Sequence, residues 1–447
     1  MIYFKIANEF EKKADELMKQ HKLIVISLDS LGFRDLNELR QITPTLANLI
    51  KKGTWVKKVK GIFPTLTYPS HTSIITGQYP AVHGIVNNTK LQPHRQSLDW
   101  FWYRKDIQSM PLYDIAKEKG LTTAAFLWPV TAGSKIDYNL AEIFPNRIWT
   151  NQVLVSLKAS SPLFLYEMNK KYGKLRHGIK QPWLDDFVTA CAVDTIKNKK
   201  PDLTLVHLVD MDSMRHRYGV RSPQAKEALH RLDKRVAKII QATKDTGTYP
   251  QTDFVILGDH YQINVDKMIH LNMLFAQQGL LHPLGKKSTY RNNWQVTAKT
   301  CDGETYIYTR GAVDRGKLKQ MIAGVEGVER IYDNATAIKR GADPKCTFLV
   351  EAKPGYYFTD EVNRPAIVEK VDSESIGTHD RYRGVHGYRP TQANYFTTAI
   401  FAGPQIKGGA TVENAHLVDE GPTFAKLLGL HYPAPTAGQA INAIFKD

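Results

Sequence analysis

One threonine stands in surroundings that would suit a nucleophile. Thr67 lies where an extended apolar run ends and a helix is predicted to begin, in the segment FPTLTYPSHTSIITGQYPAVHGIVNN of residues 63–88. The start of a helix has N–H groups without partners and a partial positive charge, so it favours a phosphate. Pro69 suits the first helical turn, which does not use the N–H that proline lacks. A threonine hydroxyl is weakly acidic and needs a base or a metal beside it to attack phosphorus.

Aspartate and histidine residues recur where predicted strands end, and one more histidine lies in a glycine-flanked loop. These candidates are Asp29, Asp212, His216, Asp259, His260 and His386. Mixed Asp and His ligands suit zinc, and three protein ligands with an open fourth position are typical of a catalytic zinc site. Two metals roughly 4 Å apart would stabilise the attacking and leaving oxygens of a phosphoryl displacement. Taken singly, each residue has a simpler interpretation as a helix cap, a turn residue, a surface pair or an ordinary loop histidine.

The elements that must position these side chains alternate between short apolar strands and amphipathic helices. Strands are predicted at residues 22–28, 122–127, 203–209, 254–257 and 399–402. Helices are predicted at residues 70–76, 110–120, 183–196, 225–240 and 422–428, and another begins at Pro44 with Thr43 as its cap. This alternation predicts an α/β fold whose mostly parallel central sheet is covered on both faces. Such sheets place their sites at the carboxyl ends of the strands.

Two segments interrupt the alternation, and we interpret them as insertions into one catalytic domain of residues 22–447. The first, at about residues 130–182, is aromatic and basic without a clear period, so we expect a lid over the sheet edge. The second, at about residues 286–345, is predicted to be a small α+β unit, a βαβ piece beside the main sheet. Residues 1–21 are predicted to form an N-terminal amphipathic extension.

Composition narrows the class of protein. The chain is 42% hydrophobic and 23% charged, which is typical of a globular protein, and its formal net charge is +16. The lysines are scattered and no arginine-rich tract occurs, so we expect no specific nucleic-acid binding. The three distant cysteines form neither a disulfide framework nor a metal knuckle. Since the sequence contains no signal peptide and no segment of membrane-spanning length, we expect a cytoplasmic protein without a membrane partner.

Seven motifs, in matching order and spacing, make the chain similar to a known family. They are LIVISLDSLG, FPTLTYPSHTSIITGQYPAVHGIVNN, DMDSMRHRYG, VILGDHY, EAKPGYYF, GVHGYRP and DEGPTFAKLLGL. On these motifs the sequence resembles the nucleotide pyrophosphatase/phosphodiesterase branch of the alkaline phosphatase superfamily, from Lys22 to the C-terminus. The resemblance implies an alkaline phosphatase-like fold. It also implies a metal-dependent hydrolase that cleaves phosphodiester or pyrophosphate bonds in a small anionic substrate of the nucleotide kind.

The resemblance also implies a role for each candidate residue. It assigns the ligands of two zinc ions to two sets: Asp212, His216 and His386, and Asp29, Asp259, His260 and Thr67. Asn88 would bind phosphate, although Asn87 beside it leaves open which amide faces the site. Thr67 would attack phosphorus to form a phosphothreonine ester, which water then hydrolyses. Manganese or iron could replace zinc at such ligands.

Two features favour diesters as substrates, and two alternatives stay open. A Cys/Ser-x-Pro-x-Arg motif is missing, which disfavours a sulfatase, and residues 63–88 contain no arginine to bind a phosphomonoester dianion. A phosphomonoesterase or phosphonate hydrolase on the same scaffold is one alternative. A catalytically silent phosphate-binding protein is the other. A P-loop is excluded because its best candidate, residues 279–288, has the wrong spacing.

Aromatic residues around the proposed lid could recognise a base. The candidates are Trp100, Trp102, Tyr103, Trp128, Trp149 and Trp183. Trp128 is the first to test because it follows a predicted strand and enters the lid. His207 and Asp210 lie beside the first metal motif, and we expect them to be structural, with some chance that they orient a ligand.

Overall fold

The computed structural model describes residues 21–147, 151–285, 288–378 and 380–446. The amphipathic extension predicted for residues 1–21 therefore lies, except for its last residue, outside the described part of the chain. The same holds for Trp149. Within the described residues, no helix has both the length and the apolar character needed to cross a bilayer.

The helices and strands alternate along most of the chain. In chain order the strands are β1 (Lys22–Leu28), β2 (Thr54–Lys60), β3 (Thr123–Phe126), β4 (Tyr138–Leu140), β5 (Leu203–Leu208), β6 (Thr252–Leu257), β7 (Ile263–Asn264), β8 (Lys267–Ile269), β9 (Val296–Cys301), β10 (Glu304–Thr309), β11 (Val328–Asp333), β12 (Phe348–Ala352), β13 (Tyr356–Phe358), β14 (Val368–Lys370), β15 (Gly384–Val385), β16 (Thr397–Ala402) and β17 (Ala410–His416). The α-helices are α1 (Phe33–Glu38), α2 (Pro44–Lys52), α3 (Thr67–Thr76), α4 (Pro80–His83), α5 (Leu112–Glu118), α6 (Gln152–Ala159), α7 (Pro162–Tyr172), α8 (Trp183–Asn198), α9 (Asp210–Tyr218), α10 (Pro223–Asp245), α11 (Leu271–Gln277), α12 (Arg315–Ala323), α13 (Asn334–Lys339) and α14 (Glu420–Leu427).

The main sheet has eight strands in the spatial order β17-β2-β16-β6-β1-β5-β3-β4. Only β16 runs against its neighbours, and the other pairs are parallel. Alternate residues of β1 face opposite sides: Val25 packs into the cluster with α3, α5 and α14, and Ile26 packs into the cluster with α2, α8 and α10. The predicted doubly covered, mostly parallel sheet is confirmed.

The smaller sheet differs from the βαβ piece that the sequence predicts. Strands β11, β12, β10 and β9 are hydrogen-bonded in that order, and all their pairs are antiparallel. Its last strand, β12, ends at Ala352, beyond the predicted boundary at residue 345. Strands β9 and β10 form a hairpin closed by Asp302 and Gly303, and Asp302 has a φ of 61°. An Asp-Gly pair between two strands predicts such a hairpin, so the signal was present in the sequence.

The segment predicted as a lid forms helices α6 and α7 between β4 and β5. Phe164 of α7 packs its ring 6.1 Å from that of Phe126 in β3 and 5.3 Å from that of Tyr138 in β4. Helix α7 therefore lies against the end of the main sheet where β4 is the last strand. The apolar period is missing because these helices carry exposed apolar residues, such as Leu154 and Leu163, in addition to those that they bury.

Helix α2 is capped by a partner that lies far away in sequence. It begins at Pro44 as predicted, but the Thr43 side chain does not cap it and instead donates to the Leu39 carbonyl oxygen at 3.2 Å. The N–H groups of Thr45 and Leu46 donate to the carboxylate of Asp233 in α10, at 3.1 and 2.8 Å. The predicted cap is therefore wrong, and Asp233 joins two helices on one face of the sheet.

We expect Asp233→Ala to lower the free energy of unfolding by about 1–2 kcal/mol, because the N–H groups of Thr45 and Leu46 lose their acceptor. Urea unfolding followed by circular dichroism measures the change. Asp233→Asn retains one acceptor oxygen and should lose clearly less. Equal stability of the alanine variant and the unmodified chain would contradict the capping role.

Candidate active site

The main sheet brings three of the predicted acidic and histidine positions to one edge. Asp29 follows β1, Asp259 follows β6, and Asp212 lies in α9, which begins just after β5. Strand β1 pairs in parallel with both β5 and β6, so the carboxyl ends of these three strands are adjacent. The side chains that were far apart in sequence therefore share one site at the carboxyl edge of the sheet.

Thr67 is the first residue of α3, and its hydroxyl points at this cluster. Its Oγ1 lies 3.1 Å from Nε2 of His260. Thr67 is half-buried, whereas every other residue of α3 is buried. The hydroxyl is thus the group that the N-terminus of this ten-residue helix presents at the site.

The first predicted set of ligands lies together. One donor atom each from Asp212, His216 and His386 can be chosen so that all lie within 4.8 Å of one another. Nε2 of His216 is 3.4 Å from Oδ2 of Asp212, and Nδ1 of His216 donates to the Gly384 carbonyl oxygen at 2.8 Å. That hydrogen bond orients the ring so that Nε2 is the nitrogen available to a metal.

The second predicted set also converges, with one shared member. Asp29 and His260 form a group with Asp212 whose donor atoms lie within 4.8 Å. Asp259 lies beside this group, since its Oδ2 is 3.2 Å from Nε2 of His260, and Oδ1 of Asp29 is 3.4 Å from the same nitrogen. Asp212 therefore lies between the two sets, as a carboxylate near two neighbouring metals would.

The donor set fits a divalent cation on two observations. Oδ1 of Asp29 and Oδ2 of Asp259 are buried and have no hydrogen-bond partner. Burial raises the pKa of both carboxyls well above its usual value, and the charge of Asp212 adds to the rise at Asp29. Burial lowers the pKa of His260 and lowers that of His386 to about 3, so both rings are neutral. A bound cation would favour the ionised form of the two carboxyls, and the neutral histidine nitrogens can bind it.

Asp212 and His216 offset each other electrostatically. Burial alone would raise the pKa of Asp212, but the charge and hydrogen bond of His216, together with the charges of His386 and His260, bring it below its usual value. Burial likewise opposes the charge on His216, while Asp212 raises its pKa to about 9. The opposite charges of Asp212 and His216 therefore offset each other. Asp29 and Asp259 are the carboxyl groups that a cation would stabilise most.

The two neighbouring asparagines differ in their contacts. Asn87 is buried, and its Nδ2 donates to the Thr300 carbonyl oxygen at 2.8 Å. Asn88 is half-buried, and its Oδ1 accepts from the N–H of Tyr68 at 2.9 Å. The Asn88 amide thus sits beside the first turn of α3, with its NH₂ group as the end that can donate to a phosphate oxygen.

Three further residues contact the candidate ligands. Nε2 of His207 lies 3.0 Å from Oδ2 of Asp29, and Nδ1 of His71 donates to the Thr67 carbonyl oxygen at 2.8 Å and lies 3.5 Å from Oδ2 of Asp259. Gln262 donates to Oδ1 of Asp212. We expect His207 to be structural, with some chance that it orients a ligand. Its position beside Asp29 would allow it to orient that carboxylate. The sequence analysis did not identify His71 and Gln262 as residues of the site.

The sequence offered a weak signal for the two missed residues. His71 is four residues after Thr67 on the same helix, and Gln262 is two residues after His260. By contrast, Asp210 lies away from the metal candidates and accepts from Arg231 and Arg235 at 2.8 and 2.9 Å. These contacts agree with the structural role expected for Asp210.

The aromatic candidates for base recognition are mostly packed inside the protein. Trp128 is fully buried, and its ring centroid lies 4.8 Å from that of His71 in an edge-on arrangement, so it supports helix α3 and offers no surface to a ligand. Trp102 is buried as well. Trp100 and Tyr103 are half-buried, and Trp100 packs 5.2 Å from Tyr68. Trp183 is exposed at the start of α8.

Comparison with known proteins agrees with this geometry. The family model described as type I phosphodiesterase/nucleotide pyrophosphatase matches residues 23–389. Human ectonucleotide pyrophosphatase/phosphodiesterase family member 1 is 26% identical over 262 residues, which are 56% of this chain and 24% of that protein. Human family member 7 is 23% identical over 432 residues, which are 92% of this chain and 80% of that protein. The chain thus spans about a quarter of the first relative's length and most of the second's.

Solved structures share the fold. Human ectonucleotide pyrophosphatase/phosphodiesterase 5 has a TM-score of 0.67 at 19% identity, covering 96% of this chain and 100% of that chain. The murine protein, as an inactive threonine-to-alanine variant in complex with AMP, has a TM-score of 0.67 at 17% identity and covers 95% of this chain and 100% of that chain. The family inferred from the seven motifs is confirmed. Because the family model covers most of its length, the chain belongs to the type I phosphodiesterase/nucleotide pyrophosphatase family.

Proposed function

We propose that this protein is a metal-dependent hydrolase of phosphodiester or pyrophosphate bonds in nucleotides or nucleotide-like substrates. The observation that carries the proposal is convergence: the Thr67 hydroxyl lies 3.1 Å from His260. That histidine belongs to a cluster in which two groups of three ligand atoms each lie within 4.8 Å. A hydroxyl at a helix N-terminus beside a bimetallic ligand set is the arrangement that phosphoryl transfer to a side chain requires.

The two ligand sets would hold two metal ions. We propose zinc because aspartate and histidine side chains are ligands that zinc commonly binds. When bound, the metals would supply positive charge that lowers the pKa of the hydroxyl and offsets charge on the phosphate. Thr67 Oγ1 gives up its proton to solvent and forms a bond to phosphorus, while the bond from phosphorus to the leaving oxygen breaks. The leaving oxygen takes up a proton from solvent and departs as the alcohol or nucleotide. Water then cleaves the phosphothreonine ester and restores the hydroxyl.

Two groups of the chain would bind the phosphate oxygens during these steps. The Asn88 NH₂ group can donate to one oxygen, since its Oδ1 is fixed by the Tyr68 N–H at 2.9 Å. The Thr67 backbone N–H at the start of α3 can donate to another. Donors that are held in place before the reaction stabilise charge that develops on these oxygens.

The substrate class follows from the family and from the site. The AMP found with the inactive murine neighbour supports a nucleotide ligand. Neutral amide and N–H donors suit a diester, whose phosphate carries one charge, whereas a monoester dianion favours a bidentate arginine. A phosphomonoesterase or phosphonate hydrolase on this scaffold is the second candidate.

Thr67→Ala should lower kcat/KM for a nucleotide diester by roughly 10³-fold or more, because the attacking oxygen is gone. Steady-state hydrolysis measures the loss. Thr67→Ser keeps a hydroxyl and should keep part of the activity. Thr76→Ala is the matched control, since the Thr76 hydroxyl at the other end of α3 donates to the Thr72 carbonyl oxygen at 2.6 Å. A Thr67→Ala variant as active as the Thr76→Ala variant would overturn the nucleophile assignment.

The purified protein should contain about two divalent metal ions per chain by elemental analysis. His386→Ala should lower that content by about one ion, because its set loses a third of its ligands. His94→Ala is the control, since His94 is exposed on the surface. Chelation should also lower the unfolding temperature of the unmodified chain, because buried carboxylates lose their counter-charge. A metal-free protein with unchanged thermal stability would contradict the ligand assignment.

The protein should hydrolyse bis(4-nitrophenyl) phosphate faster than 4-nitrophenyl phosphate. Asn88→Ala should lower kcat/KM for the diester by about 10²-fold, the cost of one missing oxyanion donor. Nitrophenolate release measures both. A strong preference for the monoester would contradict the diesterase proposal and favour a phosphomonoesterase. It would not affect the assignment of Thr67 as the nucleophile.

A further inference from the structure

Large apolar side chains are exposed mainly in one part of the chain. Within the described residues, those between β4 and the start of α8 that face solvent are Val153, Leu154, Leu163, Tyr166, Leu175, Ile179 and Trp183. Leu163 is 87% exposed and Ile179 is 73% exposed. We name the seven residues the apolar patch. Single exposed apolar residues are ordinary, but a concentration of them marks an interaction surface.

Helices α6 and α7 each have two apolar faces, and folding uses only one. Val155 and Ala159 of α6 pack into the cluster that contains Tyr68, the neighbour of Thr67. Phe164 and Met168 of α7 pack into the core above the main sheet. Four patch residues lie on the exposed faces of these helices: Val153 and Leu154 on α6, and Leu163 and Tyr166 on α7. Leu163 and Tyr166 are three residues apart and so project from the same side of α7.

Basic residues accompany the patch. Residues 151–184 contain six lysine and arginine side chains and one acidic residue, Glu167, so the segment has a net charge of +5. All five lysines are exposed: Lys158, Lys170, Lys171, Lys174 and Lys180. Lys171 forms an ion pair with Glu167 at 2.7 Å. Lys158 lies four residues after Leu154, and Lys170 lies four after Tyr166, which places basic groups on the same helix faces as the patch.

We propose that the apolar patch docks this protein on the surface of an anionic lipid bilayer. Amphipathic helices lie in the interface when aliphatic side chains enter the acyl boundary and lysines meet anionic headgroups. Trp183 adds an aromatic group of the kind that favours the headgroup level. This surface binding needs no membrane-spanning segment, and the proposal departs from the expectation that no membrane is a partner.

The charge of the segment discriminates against two other occupants. A second copy of the chain would bring two surfaces of net charge +5 together, which like-charge repulsion opposes. A nucleic acid would neutralise the lysines but would leave Leu163 and Ile179 in contact with water or phosphate. A bilayer with anionic headgroups satisfies both the aliphatic and the basic groups.

Co-sedimentation with lipid vesicles tests the proposal. The full chain should bind vesicles of phosphatidylcholine with phosphatidylglycerol, bind vesicles of phosphatidylcholine alone more weakly, and lose binding as salt rises. The double variant Leu163→Ser, Tyr166→Ser should partition at least about tenfold more weakly into the anionic vesicles. Lys170→Gln with Lys174→Gln should weaken binding to the anionic vesicles and leave binding to phosphatidylcholine unchanged.

Ile338→Ser is the matched control, because Ile338 is an exposed aliphatic residue of α13, outside the patch, and this variant should bind as the unmodified chain does. The patch variants should keep their unfolding temperature and hydrolytic activity, because the changed side chains are exposed and apart from Thr67. Absence of vesicle binding, or equal binding by the Leu163→Ser, Tyr166→Ser variant, would overturn the proposal. A dimer in size-exclusion chromatography that the same variant dissociates would also overturn it, in favour of self-association.

Discussion

The structure depends on carboxylates that are buried where three parallel strands end. Asp29 and Asp259 lie almost wholly out of water. Moving a carboxylate into such surroundings costs several kcal/mol even after relaxation. The N–H of Ser30 donates to Oδ1 of Asp259 at 3.1 Å, and His207 lies beside Oδ2 of Asp29, but one oxygen of each carboxylate has no such partner. A cation bound at the site would therefore stabilise the fold as well as serve the proposed chemistry.

A second buried ionic network fixes the helix that carries two of the candidate ligands. The carboxylate of Asp185 in α8 accepts from the N–H groups of Val209 and Asp210, at the start of α9. Arg235 of α10 donates to Asp210 at 2.9 Å. Charge-assisted bonds of this kind are short and directional. They set the position of α9 and so the distance between Asp212 and His216 on one side and Asp29 on the other.

Sequence reasoning located correctly the residues whose place in the fold follows from local position. Asp29, Asp259 and His260 come directly after strands, and Thr67 starts a helix, so period and chain order were enough to place them at one edge. It failed where the partner is distant in sequence. The cap of α2 comes from Asp233, 187 and 188 residues away, and nothing near Thr43 reveals it. The prediction that Trp128 could recognise a base was wrong for a related reason. Its burial depends on packing against His71, which chain order does not show.

The segment at about residues 130–182, predicted as a lid, shows why the lack of a regular spacing of apolar residues can itself be informative. A helix that buries one face gives an apolar period, as α10 does with Leu232, Val236 and Ile239. Helices α6 and α7 keep apolar residues on the opposite face too, and this second set erases the period. A side chain such as Leu163, which stays exposed in the folded protein, adds almost nothing to the free energy of unfolding. The proposed contact with a lipid bilayer accounts for its presence. The neighbouring lysines are the reason why we expect that bilayer to be anionic.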